Sequence, residues 1–239
     1  MDEPKFEFKS LPRIQNSLLS KAEKKLLVRI AKSLPESITP NHLTFIGVLG
    51  AVISGLGYFL TNYHPAFLWL ASFGLLVNWF GDSLDGTVAR VRNIQRHLFG
   101  FFIDHNTDAL TQMIIAVCAG LSPYFSLHLI LILIIGYYLL SIFTYINSIL
   151  LGYFKISYGI FGPTELRVVV IVINTILFFY TDHIPVLNMF GYSVMLTDFF
   201  TLIITIIMFA LYIYFFAVAK REYDRIDPPA RKKSQQTAS

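Results

Sequence analysis

Four aspartates lie close together in one stretch of an otherwise apolar chain. Asp82 and Asp85 are three residues apart, and Asp104 and Asp108 are four residues apart. Either spacing places both side chains of a pair on one face of a helix. Four neighbouring carboxylates repel one another unless divalent cations or protons neutralise them, and a site made only of oxygen ligands suits a hard ion. The four aspartates therefore predict a magnesium or manganese site of the kind that bridges carboxylates to substrate phosphates.

The residues around the aspartates indicate a ligand larger than an ion. Gly86 and Gly100 flank the acidic stretch, where the lack of a side chain leaves room for a bulky ligand. Arg90 lies one turn beyond Gly86 and can meet a phosphate oxygen. Spacing alone leaves a cation transporter open as a remote alternative, although the ion sites of transporters usually lie near the middle of the membrane and at broken helices.

The composition indicates whether the chain folds in water or in a lipid bilayer. Apolar residues make up 55% of the 239 residues and charged residues only 14%, against roughly a quarter charged residues in soluble domains. Three uncharged apolar runs are long enough to span a membrane, and three more are shorter or interrupted by polar residues. The long runs are Leu43–Leu60, Phe125–Phe154 and Phe199–Ala219, and the others are Phe67–Phe80, Leu98–Leu121 and Val168–Tyr180. We therefore predict an all-α integral membrane protein with six transmembrane helices, in a single domain that covers residues 1–239.

The basic residues predict how these spans are oriented. Lysines and arginines fall in the N-terminal segment, in the second and fourth connections and in the C-terminal tail, whereas the first, third and fifth connections contain none. This asymmetry is typical of the positive-inside rule. It predicts a multi-pass protein whose two termini and active site face the cytoplasm. The net charge of +4 is then a consequence of topology and gives no reason to expect a nucleic acid partner.

The two ends of the chain are predicted to lie outside the bilayer. Within residues 1–40, apolar residues between Leu18 and Leu34 recur at helical spacing, with basic residues among the other positions. This pattern predicts an amphipathic helix on the cytoplasmic membrane surface, and packing of the same helix against the cytoplasmic ends of the spans is compatible with it. The N-terminal segment has no continuous apolar core, so we expect no cleavable signal peptide. Residues 221–239 are charged and interrupted by proline, so we expect a flexible cytoplasmic tail.

The acidic stretch resembles the signature of the CDP-alcohol phosphotransferase family. The matching positions are Asp82-x2-Asp85-Gly86-x2-Ala89-Arg90-x9-Gly100-x3-Asp104-x3-Asp108. The resemblance extends to the six spans, the N-terminal helix and a Pro40-Asn41-x2-Thr44 opening of the first span. It implies a homodimeric membrane enzyme that transfers a phospho-alcohol group from a CDP-alcohol to an acceptor hydroxyl and releases CMP.

By this resemblance the site residues take particular roles. Asp82, Asp85 and Asp104 are implied metal ligands, and Asp108 is either a ligand or the base near the acceptor hydroxyl. The residues implied to line the cytidine and diphosphate site are Asn41, Thr44, Gly86, Ala89, Arg90 and Gly100. For Asn41 and Thr44 there is a plainer alternative, since they could simply cap the first span.

Two local features resemble the choline and ethanolamine phosphotransferase branch of the family. Asp104-His105-Asn106-Thr107-Asp108 looks like the DHxxD form of that branch, and Gly162-Pro163-Thr164-Glu165 looks like the GPTE that opens its fifth span. In that branch the His and the Glu are thought to act as a proton-accepting pair, which implies catalytic roles for His105 and Glu165. We therefore expect CDP-choline or CDP-ethanolamine as the donor and diacylglycerol, a lipid, as the acceptor.

Alternatives to this branch stay open at the level of sequence. His105 could instead hold a metal-bound aspartate in place, and Glu165 could pair with Arg167 or Lys155. The chain is also shorter than typical eukaryotic members of the branch. The other branch of the family transfers from CDP-diacylglycerol to a small polar or phosphorylated alcohol, which Lys155 and Arg167 could bind.

Overall fold

Helices account for almost all of the described chain. The computed structural model describes residues 13–14, 20–151, 154–155, 163–181, 186–189 and 192–229. The helices are α1 (Ser20–Ser33), α2 (Pro40–Leu60), α3 (Phe67–Val91), α4 (His97–Gly120), α5 (Leu127–Leu151), α6 (Pro163–Phe179) and α7 (Leu196–Ile226). There are also two short strand pairs, in which β1 (Arg13–Ile14) runs parallel to β2 (Phe154–Lys155) and β3 (Val186–Met189) runs antiparallel to β4 (Tyr192–Met195). The predicted all-α class is confirmed.

Four of the described helices, α2, α3, α5 and α7, are long and apolar enough to cross a membrane. Large apolar side chains on these helices are exposed, among them Phe45, Phe73, Ile149 and Ile213. Apolar surface of this extent is typical of a protein that lies in lipid. The chain is therefore a membrane protein. The apolar sequence of α4 is interrupted by Asp104 and Asp108, and α6 has only 17 residues, so the count of six spans stays a prediction.

The first two apolar helices, α2 and α3, approach each other closely through glycines. A Cβ atom at Gly81 would lie only 2.3 Å from the backbone nitrogen of Gly47, and small residues are what allow such close approach in membrane proteins. The Nδ2 of Asn78 donates a hydrogen bond to the carbonyl oxygen of Gly47 at 3.0 Å. This packing fixes the half of α3 that carries Asp82 and Asp85 against the first half of α2.

The start of α2 and the end of α3 have clear local causes. Thr39 caps α2, since its Oγ1 accepts a hydrogen bond from the backbone nitrogen of His42 at 3.3 Å. Helix α3 ends before Asn93, whose φ of 55° lies in the left-handed region that commonly terminates helices. The cap of α2 is thus Thr39, and the alternative that Asn41 or Thr44 caps this span is wrong.

The N-terminal helix α1 is amphipathic, as predicted, and its apolar face packs on the spans. Leu27 and Ala31 are buried in a cluster with Leu43, Leu84 and Val88. The basic side chains of the helix are exposed, namely Lys24, Lys25, Arg29 and Lys32. Packing against the ends of α2 and α3 is therefore confirmed, contact with the membrane surface stays a prediction, and Leu18 and Leu19 lie outside the described residues.

Helix α6 is joined to α2 and α3 by a buried polar contact. The hydroxyl of Tyr58 on α2 donates to Oδ1 of Asn174 on α6 at 2.9 Å, and Nδ2 of Asn174 donates to Oγ of Ser72 on α3 at 3.1 Å. All three side chains are buried, where an unpaired polar group would be costly. The contact holds α6 beside α3, so that the first turn of α6 reaches the acidic stretch.

The last helix, α7, is longer than its apolar run. It extends through Ile226, so residues 221–226 of the predicted flexible tail are helical, and residues 230–239 lie outside the described part. One contact of this extension explains why it continues, since the hydroxyl of Tyr223 donates to Oδ1 of Asn147 on α5 at 2.9 Å.

Candidate active site

Three of the four predicted metal ligands come together between the second half of α3 and the first half of α4. The carboxylates of Asp82 on α3 and of Asp104 and Asp108 on α4 each place an oxygen within 4.8 Å of the others. Oxygens that share a divalent ion at about 2.0–2.6 Å lie at most about 5 Å apart, so the separations suit a bound ion. All three side chains are partly buried. The donor set, which is all carboxylate, fits a hard divalent cation.

Asp85 lies close to this group, and its carboxylate has other partners. The hydroxyl of Thr44 on α2 lies 2.6 Å from Oδ2 of Asp85, and the backbone nitrogen of Gly86 donates to the other carboxylate oxygen. These two bonds fix the orientation of the Asp85 side chain. Thr44, predicted as a nucleotide contact, therefore also links α2 to the acidic residues of α3.

A cation from another helix adjoins the acidic group. The guanidinium of Arg167, in the first two turns of α6, donates to Oδ2 of Asp82 at 2.8 Å. The exposed fractions of the two side chains are 14% for Arg167 and 26% for Asp82, so the pair is shielded from water and attracts more strongly than one on a surface. The sequence suggested Glu165 or a phosphate as partners of Arg167, and the structure pairs it with Asp82.

The residues predicted to line the nucleotide site lie on α2, α3 and α4. The Nη2 of Arg90 donates to Oγ1 of Thr87 at 2.9 Å, and a Cβ atom at Gly86 would lie 3.2 Å from the Arg90 guanidinium. A Cβ atom at Gly100, in the first turn of α4, would meet nothing within 4 Å. Open space at Gly100 agrees with a site that admits a bulky ligand. Ala89 is half-buried next to Arg90, and Asn41 is exposed in the first turn of α2.

His105 and Glu165, the predicted proton-accepting pair, lie on different helices. The Nδ1 of His105 lies 2.9 Å from the carbonyl oxygen of Phe101, and its ring stacks on Phe101 and meets the edge of Tyr145 on α5. Glu165 is buried at the start of α6, the helix that packs against α3. The ring of His105 thus contacts α5 through Tyr145, and the pairing of His105 with Glu165 stays a prediction. The side chain of Lys155 and residue Gly162 lie outside the described part of the chain.

Two features beside the site have no counterpart in the sequence prediction. The first is Glu23 on α1, whose Oε1 accepts hydrogen bonds from Trp79 on α3 and Thr164 on α6, each at 2.8 Å. The only local signal for Glu23 is that it is an acidic residue in a basic helix. The second is an apolar cavity of about 230 Å³ between α4 and α5, next to Asp108. It is lined by Ala109, Tyr137, Tyr138, Ser141, Ile142 and Tyr145, and the sequence pattern of α5 gives no sign of it.

Fold and site together define a helical membrane protein with a group of carboxylates between two of its helices. The chain belongs to the CDP-alcohol phosphatidyltransferase family, whose model matches residues 37–217. It is 31% identical over 163 residues to an archaetidylinositol phosphate synthase of Pyrococcus horikoshii, a match that covers 66% of this chain and 82% of the relative. It is 32% identical over 90 residues to a phosphatidylinositol phosphate synthase of Cutibacterium acnes, covering 37% of this chain and 40% of that relative.

Family membership confirms the reaction class predicted from the acidic motif. The chain is a membrane-embedded transferase of phospholipid biosynthesis that uses a CDP-alcohol, and the cation transporter alternative has no support. The names of both relatives favour the branch that uses CDP-diacylglycerol over the choline and ethanolamine branch. The DHxxD-like and GPTE-like segments therefore predict the branch less well than the similarity to these two relatives does.

Proposed function

We propose that this protein transfers a phospholipid group from a CDP-activated lipid to a hydroxyl of a small phosphorylated polyol such as inositol phosphate, with release of CMP. The products named for the two relatives each combine a lipid, a phosphodiester and an inositol phosphate. The lipid is then the donor, and the polar alcohol is the acceptor. The observation that carries the proposal is the Arg167 guanidinium beside the acidic group, because a phosphorylated acceptor needs a cation there and diacylglycerol does not.

For the metal site we propose that Asp82, Asp104 and Asp108 hold magnesium or manganese, with Asp85 as a fourth carboxylate at its edge. The close approach of three carboxylate oxygens supports this assignment. A divalent cation in this position supplies charge stabilisation to the diphosphate and to the departing CMP oxygen. Thr44 keeps Asp85 oriented towards the site, and Arg167 offsets part of the negative charge through Asp82.

For the nucleotide we propose the residues around the turn between α3 and α4. Arg90 binds a diphosphate oxygen, and Gly86 and Gly100 leave room for the cytidine and the diphosphate. Ala89, Asn41 and Thr44 complete this side of the site. The open space at Gly100 and the exposure of Arg90 support the assignment.

The proposed reaction is an in-line displacement at the β-phosphorus of the CDP-lipid. The acceptor hydroxyl oxygen forms a bond to this phosphorus, while the bond from the phosphorus to the oxygen that bridges the two phosphates breaks. The electron pair of the broken bond leaves with CMP. Asp108 takes the hydroxyl proton, because its carboxylate lies within the acidic group, and His105 with Glu165 is the alternative base.

We also propose a multi-pass topology with both termini and the active site in the cytoplasm, and a homodimeric assembly. The topology is supported by the restriction of basic residues to one set of connections, following the positive-inside rule. The homodimer rests on the resemblance to the family.

A product assay with the purified protein in vesicles tests the proposed function. CDP-diacylglycerol, its diether counterpart, CDP-choline and CDP-ethanolamine are offered in parallel, with inositol phosphate, glycerol phosphate or diacylglycerol as acceptors. The expected result is CMP release and a phosphorylated lipid product only when a CDP-lipid meets a phosphorylated polyol. Product from CDP-choline or CDP-ethanolamine with diacylglycerol would overturn the proposal and restore the branch that the local motifs suggested.

A further inference from the structure

One carboxylate oxygen on the N-terminal helix joins three helices. The Oε1 of Glu23 on α1 accepts hydrogen bonds from Nε1 of Trp79 on α3 and from Oγ1 of Thr164 on α6, each at 2.8 Å, and Oγ of Ser83 lies 3.4 Å away. The Glu23 side chain is half-buried. Hydrogen bonds to an ionised acceptor are roughly twice as strong as neutral ones, and a shielded carboxylate depends on its donors. Glu23 is therefore held firmly between α3 and α6.

The donors to Glu23 lie next to the residues of the active site. Ser83 directly follows Asp82 on α3, and Trp79 lies one turn before Ser83 on the same helix. Thr164 lies three residues before Arg167 on α6, in the first turn of that helix. Glu23 therefore joins the same two helices that the ion pair between Asp82 and Arg167 joins.

The Glu23 contact and the ion pair between Asp82 and Arg167 both restrict the position of the start of α6. Thr164 and Arg167 are three residues apart on a helix and so share a face, which contacts Glu23 on α1 and Asp82 on α3. The Glu23 contact holds the first turn of α6, and the ion pair holds the second. A shift or rotation of the start of α6 would change both contacts, so Glu23 limits where the Arg167 guanidinium can lie relative to the carboxylates.

We infer that Glu23 is a positioning residue for the acceptor: it holds the first turn of α6 against α3 so that Arg167 is set to bind the acceptor phosphate beside Asp82. The inference rests on the proposed function, in which the acceptor carries a phosphate. Glu23 touches neither substrate nor cation, and it acts through Thr164 and Arg167. Loss of Glu23 should therefore weaken acceptor binding and leave donor binding largely unchanged.

The experiment compares Glu23→Ala, Glu23→Gln and Thr164→Val with Lys24→Ala, an exposed neighbour on α1 that serves as the control. Initial rates of CMP release give KM for inositol phosphate and, separately, KM for CDP-diacylglycerol. For Glu23→Ala we expect the acceptor KM to rise about five- to tenfold and the donor KM to stay near the wild-type value. Glu23→Gln keeps an oxygen that accepts both hydrogen bonds, so it should recover most of the acceptor affinity. Lys24→Ala should match the wild type.

The acceptor KM of a double variant and the melting temperature distinguish a positioning role of Glu23 from a merely structural one. Glu23 and Thr164 act as one unit, so the Glu23→Ala/Thr164→Val double variant should have the same acceptor KM as Glu23→Ala alone. A structural role would instead lower the melting temperature in detergent and change both KM values together, and that result would overturn the inference. An unchanged acceptor KM in Glu23→Ala would overturn it as well. If Glu23→Ala does not fold, Thr164→Val and Trp79→Phe each remove one donor and carry the same test.

The wild-type control distinguishes failure of this inference from failure of the proposed function. A wild-type protein that is inactive with phosphorylated polyols and active with diacylglycerol would overturn the proposed function, and the inference with it. A wild type that uses inositol phosphate, together with a Glu23→Ala variant of normal acceptor KM, would overturn the positioning role alone.

Discussion

Each carboxylate in the acidic group has its own neighbours, and these differences decide what each aspartate can do. Asp82 accepts a hydrogen bond from the guanidinium of Arg167, whereas Asp85 accepts hydrogen bonds from the hydroxyl of Thr44 and the backbone nitrogen of Gly86. Such bonds orient the carboxylate oxygens before a ligand arrives. Substitution of the aspartates and of their neighbours therefore separates the binding of a cation from the orientation of its ligands.

Asp85→Asn should remove nearly all turnover while the protein stays folded, because the amide keeps the shape of the side chain and loses its charge. Magnesium or manganese should support CMP release by the wild type, and excess chelator should abolish it. CMP release with and without chelator measures both effects, and the melting temperature in detergent checks that the variant folds. Full wild-type activity in excess chelator would contradict the metal site.

Thr44→Val tests whether the orientation of the Asp85 carboxylate matters while all four aspartates stay in place. The substitution removes the hydroxyl that lies 2.6 Å from Asp85 and keeps the size of the side chain. Loss of a partner that orients a metal ligand typically costs about 10- to 100-fold, so we expect kcat to fall on that scale. Thr44→Ser keeps the hydroxyl and should keep most of the activity, measured as CMP release at saturating substrate. Equal activity of the Val and Ser variants would show that the hydroxyl is dispensable.

His105 and Asp108 lie one turn apart and compete for the role of base. General bases contribute about 10²–10⁴-fold, so Asp108→Asn should reduce turnover at least on that scale. With Asp108 as the proposed base, His105→Ala should cost less turnover than Asp108→Asn, because the imidazole is not part of the group formed by Asp82, Asp104 and Asp108. Single-turnover rates of CMP release measure both variants. The contrary result is a fall in turnover of about 10²–10⁴-fold in His105→Ala and an equal fall in Glu165→Ala. If the double variant is no slower than either single variant, the pair acts as the base.

At the scale of elements, the apolar runs predicted helices well and their ends less well. The run Leu43–Leu60 became α2, which begins at Pro40 because Thr39 supplies a polar cap outside the run. The run Phe199–Ala219 became α7, which continues to Ile226 because Tyr223 bonds to α5. Hydrophobicity reports which residues prefer lipid, whereas helix ends depend on hydrogen bonds that polar residues make beyond the run.

The contacts that complete the site could not be predicted in the same way. The acidic spacing was enough to bring Asp104 and Asp108 to one face, because that grouping is local to a helix. The partners of Asp82 and Glu23 are different: Arg167 is 85 residues from Asp82, and Thr164 is 141 residues from Glu23. Nothing in the local sequence encodes such pairs, since they arise only when α6 packs against α3.

The packing of α2 on α3 is tested by comparing substitutions at two glycines, one at the helix contact and one in open space. Gly81→Val should lower the free energy of unfolding by about 1–3 kcal/mol or more, because a Cβ atom there would lie 2.3 Å from the Gly47 nitrogen. Gly100→Ala places its Cβ atom in open space, so stability should not change. The Gly100 variant should instead raise KM for the CDP-lipid, since the added methyl group enters the proposed nucleotide site. Denaturant unfolding in detergent and initial rates measure the two effects, and equal stability of both variants would contradict the close packing.

At the scale of the whole molecule, the acidic group lies in the halves of α3 and α4 that are nearer to their basic connection. Asp82 and Asp104 flank the connection between α3 and α4, where Arg90 and Arg96 are exposed. A site on this side suits the proposed donor, because its diphosphate could enter between α3 and α4 from the head-group side while its hydrocarbon chains stay in the bilayer. A soluble, phosphorylated acceptor would then reach the reacting phosphorus from the aqueous side.

The orientation of the molecule is the last prediction. Helix α2 has 21 residues and is therefore about 32 Å long, close to the roughly 30 Å of the bilayer's hydrocarbon core. The connections before and after it must then lie on opposite sides of the membrane. In a Cys118→Ala background, we expect cysteines at Ser37 and Ile94 to be labelled from the cytoplasmic side and a cysteine at Tyr63 from the other side. All three positions are exposed, so an impermeant maleimide applied to intact cells and to inverted vesicles measures their accessibility.

The orientation test has a clear contrary result. Labelling of Ile94 and Tyr63 from the same side would mean that α3 does not cross the membrane, and the site would then not be where the basic residues indicate. Labelling with reversed sides would keep the spans and overturn only the positive-inside assignment. The reversed result would also require the donor and the acceptor to be supplied outside the cytoplasm.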